Sequence, residues 1–125
     1  MTTFVLATPG RNAACDGFVD AVDGGTGTAT LVVQNTASTT LISFDLPDPA
    51  FGGAATGVAS LASSVTGVSP AAGGNPSQFL LKNKSGTTLA TGDAGASGAT
   101  FTISATLATS DSVDLTAFTV TVPAS

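Results

Sequence analysis

Hydrophobic and polar residues alternate along most of this chain, a pattern that predicts a protein built from short β-strands. Beyond residue 27, apolar side chains recur at every second position, as they do in strands that bury one face. The clearest runs are Ala29, Leu31 and Val33; Ile42, Phe44 and Leu46; Phe79 and Leu81; and Phe101, Ile103, Ala105 and Leu107. Since turns rich in Gly, Pro and Ser separate these runs, we expect an all-β fold: an antiparallel β-sandwich, jelly-roll or immunoglobulin-like.

One segment near the N-terminus follows a helical period instead of the strand period. Its apolar side chains form a stripe at helical spacing: Ala14, Cys15, Phe18, Val19 and Val22. Asp16, Asp20 and Asp23 occupy the opposite face, where we expect solvent around them. The spacing predicts one short N-terminal helix over residues 11–23, with an extended arm over residues 1–10 before it.

Three places in the rest of the chain are expected to be irregular. Residues 62–77 lack a clear period and contain Pro70 and Pro76, so we expect a long loop of the kind that often carries function. Residues 92–98, rich in Gly and Ala, predict a further loop. Near the C-terminus the apolar positions change from odd to even numbers, which predicts a bulge or bend near residues 116–117.

The length and charge of the chain limit what it can bind. With 125 residues, we expect one domain spanning residues 1–125. Charged residues make up only 9% of the sequence and the net charge is −5, so we expect no basic patch and no nucleic-acid partner. No apolar run approaches the ~20 residues of a membrane helix, and the start of the chain lacks the pattern of a signal peptide. We therefore expect no membrane partner.

The side-chain chemistry argues against an enzyme. The sequence contains no His, Tyr, Trp or Glu, so groups that titrate near neutral pH are almost absent. Cys15 has no His to activate it and no second cysteine to pair with, which favours a buried structural role. Three pairs of Asp residues at i, i+3 fit turns and solvated faces better than a calcium site. We therefore expect no catalytic residue, no cofactor and no metal.

Sparse charge on a surface rich in Thr and Ala favours association with other subunits, because few charges keep neighbouring copies apart. The segment Phe4, Val5 and Leu6 has two interpretations: an ordinary first edge strand, or an arm that adds a strand to a neighbouring subunit. A receptor- or sugar-binding β-sandwich is a further alternative. The absence of Trp and Tyr weakens that alternative, since sugar sites favour aromatic faces.

Three short segments resemble a family of small structural proteins of tailed phages and prophages. Residues 11–20, R-N-A-A-C-D-G-F-V-D, are similar to the family's R-N-A-A-x-D-x-x-V-D segment and run into the Gly-rich turn D-G-G-T-G at residues 23–27. A second segment is D-P-A-F-G at residues 48–52, with G-V-A at residues 57–59. The third, T-A-F-T-V-T-V-P at residues 116–123, is similar to the family's C-terminal strand.

The resemblance implies a virion component, in the first place a capsid cement or decoration protein that binds the major capsid protein lattice and stabilises the head. It implies a homo-oligomer, with a trimer favoured, on the capsid surface after assembly in the host bacterial cytoplasm. A tail, neck or fibre subunit of the virion is the alternative. The side chains that we expect at the protein interface are Phe4, Val5, Leu6, Arg11, Phe51, Pro70 and Pro76.

Overall fold

Strands form most of the regular structure. The structure, a computed structural model, describes residues 6–95, 101–103 and 106–121. In that part of the chain lie one helix and nine strands: α1 (Thr8–Val22), β1 (Thr30–Gln34), β2 (Thr40–Asp45), β3 (Val58–Ser60), β4 (Val65–Val68), β5 (Gln78–Lys82), β6 (Thr88–Gly95), β7 (Phe101–Thr102), β8 (Val113–Leu115) and β9 (Thr119–Thr121). The expected arm residues Phe4 and Val5 lie outside the described residues.

The helix α1 begins at Thr8, three residues before the predicted start, and ends at Val22. Pro9 explains the early start, because proline fits the first turn of a helix, where a backbone N–H has no partner within the helix. Residues 8–10 are therefore helical, which corrects the extended arm expected over residues 1–10. The helix buries the part of its apolar stripe that faces β3 and β9: Cys15, Val19 and Val22.

A five-stranded sheet forms the largest element of the fold, in the order β2-β1-β5-β6-β7. The first three pairings are antiparallel, whereas β7 runs parallel to β6. In β1, Leu31 lies opposite Phe44 of β2 and Leu81 of β5, and all three side chains are buried. The two-residue period predicted from the sequence therefore places these side chains on the core face of the sheet.

Two smaller antiparallel sheets have two strands each, β3 with β9 and β4 with β8. Only residues 116–118 separate β8 from β9, yet the two strands pair with different partners. In place of the bulge or bend predicted near residues 116–117, the structure has a break between two strands, because the chain passes from one sheet to another at this point.

Three segments differ from the expected pattern of loops and strands. The strand β4 lies within the stretch 62–77 that was expected to be a loop, and β6 continues through residues 92–95. The strand expected over residues 101–107 is interrupted, since only Phe101–Thr102 forms β7 and Leu107 makes an isolated bridge to Gly74. A strand needs hydrogen bonds from a partner strand, and the pattern within one segment carries no information about that partner.

The helix and the sheets share one hydrophobic core. Its largest fully buried side chains include Phe44, Leu31, Leu41 and Ile42. Among the described residues, no polar or charged residue is buried. The coarse prediction is confirmed: the fold is mostly β, with several antiparallel pairings and one short helix.

Candidate functional site

The helix α1 holds a non-sheet segment, residues 50–57, through hydrogen bonds from that segment's backbone to helix side chains. We call this stretch the docked segment. Its Gly57 N–H donates to Oδ1 of Asn12 at 2.7 Å, and its Ala54 N–H donates to Oδ1 of Asp16 at 2.8 Å. At the other end of the helix, a third backbone N–H, that of Ala50, donates to Oδ1 of Asp23 at 3.0 Å.

The spacing of the three acceptors explains why they can hold one segment. Asn12, Asp16 and Asp23 are separated by four and seven residues, so they lie along one side of a helix. Their short side chains place an oxygen close to the helix surface, where it reaches a backbone N–H that no strand pairs. These residues act as structural acceptors, and two of the three aspartates expected to be surrounded by solvent are used in this way.

Arg11 extends the same contact at the start of the helix. Its Nη1 donates to the carbonyl oxygen of Thr56 at 3.4 Å, and its Nη2 donates to Oγ1 of Thr8 at 2.9 Å. Its Nε is buried and has no hydrogen-bond partner among the described residues. In this part of the chain, the one salt bridge joins Lys84 to Asp48 at 2.8 Å, so Arg11 carries its charge without a carboxylate partner.

The other side of the docked segment is tied to β3. The Gly52 N–H donates to the carbonyl oxygen of Ser60 at 2.9 Å, and Ala55 and Val58 exchange two backbone hydrogen bonds. The strand β3 in turn pairs with β9. The order α1, docked segment, β3, β9 is therefore continuous, and we call this assembly the α1 junction.

Cys15 lies inside the α1 junction and joins the helix to β9. Its side chain is fully buried, and its Sγ lies 3.5 Å from the carbonyl oxygen of Val120. Burial raises the pKa of the Cys15 thiol, and the negative charge of Asp16 raises it further, although a hydrogen bond with the Ala59 backbone opposes both. The thiol is therefore protonated near neutral pH and is a packing group, as the sequence predicts.

The three segments that carry the family resemblance meet at this junction. Residues 11–27 include all of α1 beyond its first three residues, residues 48–59 include the docked segment, and residues 116–123 include β9. The described parts of these segments contact each other through the bonds from Asn12, Asp16 and Cys15. Their residues thus have a shared structural task, which is to fix the docked segment and β9 against the helix.

The sequence indicates only weakly that Asn12, Asp16 and Asp23 hold the docked segment. The available signal was the placement of three short acceptor side chains on one helix face. That signal is weak, because an exposed polar face looks the same when nothing packs against it. The partner of each acceptor is a backbone N–H about 27 to 45 residues away, which no local pattern reveals.

Two side chains expected at a protein interface belong to the core of this chain. Phe51 is 2% exposed, and its ring centroid lies 6.2 Å from that of Phe118. Pro70 is also buried. Burial in the fold removes both from the surface, which corrects the expectation for them. Of the other expected residues, Leu6, Arg11 and Pro76 are half-buried.

Charged side chains are unevenly distributed along the chain. Between Asp48 and Lys82, and again after Asp114, the sequence contains none. The pairing of β3 with β9 brings these two uncharged stretches side by side. We call the exposed residues on β3, on β9 and in the turn before β9 the uncharged surface: Ser60, Thr116, Ala117, Thr119 and Thr121.

The described residues offer little else that points to chemistry. No group of three or more His, Cys, Asp or Glu side chains within them could hold a metal ion. The helix of this part of the chain is too short and too polar to cross a membrane. The α1 junction and the uncharged surface beside it are therefore the features on which a function can be argued.

Comparison with known proteins returns no relative. No protein-family model, curated protein or solved structure matches the chain.

Proposed function

We propose that this chain is a phage virion structural protein, a capsid cement or decoration protein that binds the major capsid protein lattice and stabilises the head. The observation that carries the proposal is the uncharged surface beside the α1 junction. The segments that resemble the phage family build this junction, which links the resemblance to one region of the fold.

An uncharged surface suits permanent contact with another protein. The centres of protein interfaces are depleted in charged residues, because a buried charge without a partner is costly. Exposed threonine and serine hydroxyls can donate and accept hydrogen bonds at such a contact without that cost. Charged side chains lie elsewhere: on α1 and just after it, on β2, β5, β6 and β8, and in loops at Asp48, Lys84 and Asp111.

The area required is modest for a chain of this size. The accessible surface is 6403 Å². A standard interface buries about 800 Å² on each partner, which is roughly an eighth of that surface. One contact of standard size therefore leaves most of the surface free. A protein that bridges two capsid subunits requires this, because it makes a second contact.

The mechanism is mechanical rather than chemical. Packaged DNA pushes capsid subunits apart, and a protein that binds both sides of a joint raises the work needed to open it. A homotrimer at a local three-fold position would match the symmetry of such a joint. In this proposal the three sheets pack as a β-sandwich, whose rigid core holds the contact surface in one shape.

The proposal is tested by adding the purified chain to expanded heads of the parent phage that were assembled without it. We expect saturable binding with a fixed ratio to the major capsid protein, and a higher temperature of head disruption. A variant with charge on the uncharged surface, Ser60→Lys, should bind at least about tenfold more weakly, since it buries an unpaired charge.

The matched control is Ser43→Lys, which adds the same charge to an exposed position of β2, outside the uncharged surface. We expect it to bind like the unmodified chain. If the folded chain does not bind expanded heads, or if both lysine variants bind as it does, the proposed contact is wrong.

A further inference from the structure

Among the described residues, no strand pairs with the outer edge of β9 in the β3–β9 sheet. The Leu61 N–H donates to the carbonyl oxygen of Phe118 at 2.9 Å, so the backbone groups of Phe118 point towards the strand that contains β3. Along a strand these directions alternate, so the backbone groups of Val120 also point towards β3. Those of Thr119 and Thr121 point away. No hydrogen bond among the described residues uses these outward N–H and C=O groups.

One edge of the five-stranded sheet, that of β2, is protected. On β2, the carbonyl oxygen of Leu41 accepts hydrogen bonds from the N–H groups of Ala71 at 2.7 Å and Ala72 at 3.3 Å. The same strand ends in the charged residue Asp45. Coverage and charge are the usual means by which proteins prevent edge strands from pairing with other chains.

The edge of β9 has neither protection from the part of the chain that the structure describes. The side chains of Thr119 and Thr121 are exposed, and the sequence from residue 115 to residue 125 contains no charged residue. For a chain with a net charge of −5, this is a place where two copies can approach without bringing like charges together.

We infer that two copies of this chain pair through β9, antiparallel, about a two-fold axis at Val120. In this register Thr119 of one copy lies opposite Thr121 of the other, and the reverse. Each of these pairs exchanges two backbone hydrogen bonds, so all the outward groups of both threonines are used. The two Thr–Thr pairs also bring favourable side-chain partners together across the strands.

We assign a second copy as the partner because this edge carries no charged residue, so identical copies meet there without like-charge repulsion. A two-fold contact requires that the same residues meet on both sides, and the spacing of Thr119 and Thr121 around Val120 satisfies this. The contact joins two copies only and needs no capsid. It shares Thr119 and Thr121 with the uncharged surface, but it is measured on the free chain, whereas capsid binding is measured on heads, so the failure of either is seen by itself.

The area of such a pairing is small, so disulfide trapping, which captures weak contacts, is the suitable test. A Thr119→Cys variant and a Thr121→Cys variant are purified separately, mixed, and oxidised. Opposite residues in a hydrogen-bonded antiparallel pair have Cα atoms about 5.5 Å apart, which a disulfide can span. We expect at least about tenfold more linked dimer in the mixture than in either variant alone.

Each variant alone is the first control. In the inferred register, Thr119 of one copy is offset by two residues from Thr119 of the other, which places their Cα atoms more than about 7 Å apart. A mixture of Ser60→Cys with Thr121→Cys is the second control, since Ser60 is exposed on the same sheet but does not face the pairing edge. Both controls should yield only background dimer.

Equal amounts of dimer in the mixture and in the controls would overturn the inference, provided that circular dichroism shows all variants to be folded. A second measurement covers variants that fold poorly. In sedimentation at high concentration, the average mass of the unmodified chain should rise, Thr121→Lys should abolish that rise, and Ser43→Lys should keep it. Thr121→Lys associating as strongly as Ser43→Lys would equally overturn the inference.

Discussion

Oδ1 of Asn12 accepts a hydrogen bond of 2.7 Å from the backbone N–H of Gly57, which lies 45 residues further along the chain. Gly57 is buried and has a φ of 76°, a conformation that favours glycine. The side chain of the helix thus satisfies a buried backbone donor at a turn that no strand could pair. This bond ties the turn at Gly57 to the first turns of α1.

Replacing Asn12 by alanine should destabilise the fold. The Gly57 N–H would remain buried without an acceptor, and such a loss costs about 1–2 kcal/mol of unfolding free energy. Urea denaturation at constant m-value measures the change. The matched control is Asp20→Ala on the same helix, because Asp20 is exposed and accepts no hydrogen bond among those of the described residues. Equal losses for the two variants would contradict the role assigned to Asn12.

Cys15 should make the stability depend on alkaline pH. Burial raises the folded-state pKa of its thiol above the ordinary value of 9.0, so the folded state holds the proton more tightly than the unfolded state. The stability that this tighter proton binding gives to the folded state is fully present below pH 9.0. It is lost as the pH rises through the folded-state pKa. We expect the unmodified chain to lose more stability between pH 8 and pH 10.5 than Cys15→Ala does.

The same burial should keep Cys15 from reacting with a thiol reagent in the folded protein. Addition of 5,5′-dithiobis(2-nitrobenzoate) at pH 8 should label the thiol only after a denaturant is added. Rapid labelling of the native chain would show that the contact of Cys15 with β9 opens readily. That result would also predict equal pH profiles for the unmodified chain and Cys15→Ala.

Two substitutions of glycine by alanine should change the unfolding free energy in opposite directions. Gly17 lies within α1 with nothing within 4 Å of an added Cβ, so Gly17→Ala should stabilise the fold by about 0.5–1 kcal/mol. Gly25 has a φ of 105°, and a Cβ there would lie 2.7 Å from the Ser85 backbone nitrogen. Gly25→Ala should therefore cost about 2 kcal/mol or more. Thermal unfolding of the two variants, measured side by side, checks the sign of each change.

Phe51→Ala should test whether this residue belongs to the core or to an external contact. Its ring is buried and lies near the ring of Phe118, so we expect a loss of about 3–5 kcal/mol from the cavity and the lost contacts. Chemical denaturation of the isolated chain is the measurement. An unfolding free energy unchanged from that of the unmodified chain would place Phe51 outside the core.

The stability losses of Asn12→Ala and Phe51→Ala should be coupled. The bond from Asn12 and the ring of Phe51 act on the same docked segment, so their losses should not add in the double variant. A double-mutant cycle in which the two losses add within about 0.3–0.5 kcal/mol would mean that the segment does not behave as one unit.

Local patterns in the sequence were sufficient for several elements. The alternation in Leu31 and Val33 predicts a strand because the side chains of a strand point to opposite faces, whatever it pairs with. The stripe of Cys15, Val19 and Val22 predicts a helix for the same kind of reason. The change from odd to even positions near residues 116–117 was visible because a sheet face tolerates no slip by one residue.

Only the tertiary structure decided which strands pair and which side chains are buried. Phe51 and Pro70 occur in segments that read as turns, and they are buried because distant elements close over them. The roles of Asn12, Asp16 and Asp23 depend on backbone donors far away in the sequence. Periodicity reports the two faces of one element, whereas burial and hydrogen bonding report its neighbours, and neighbours are set by how the whole chain packs.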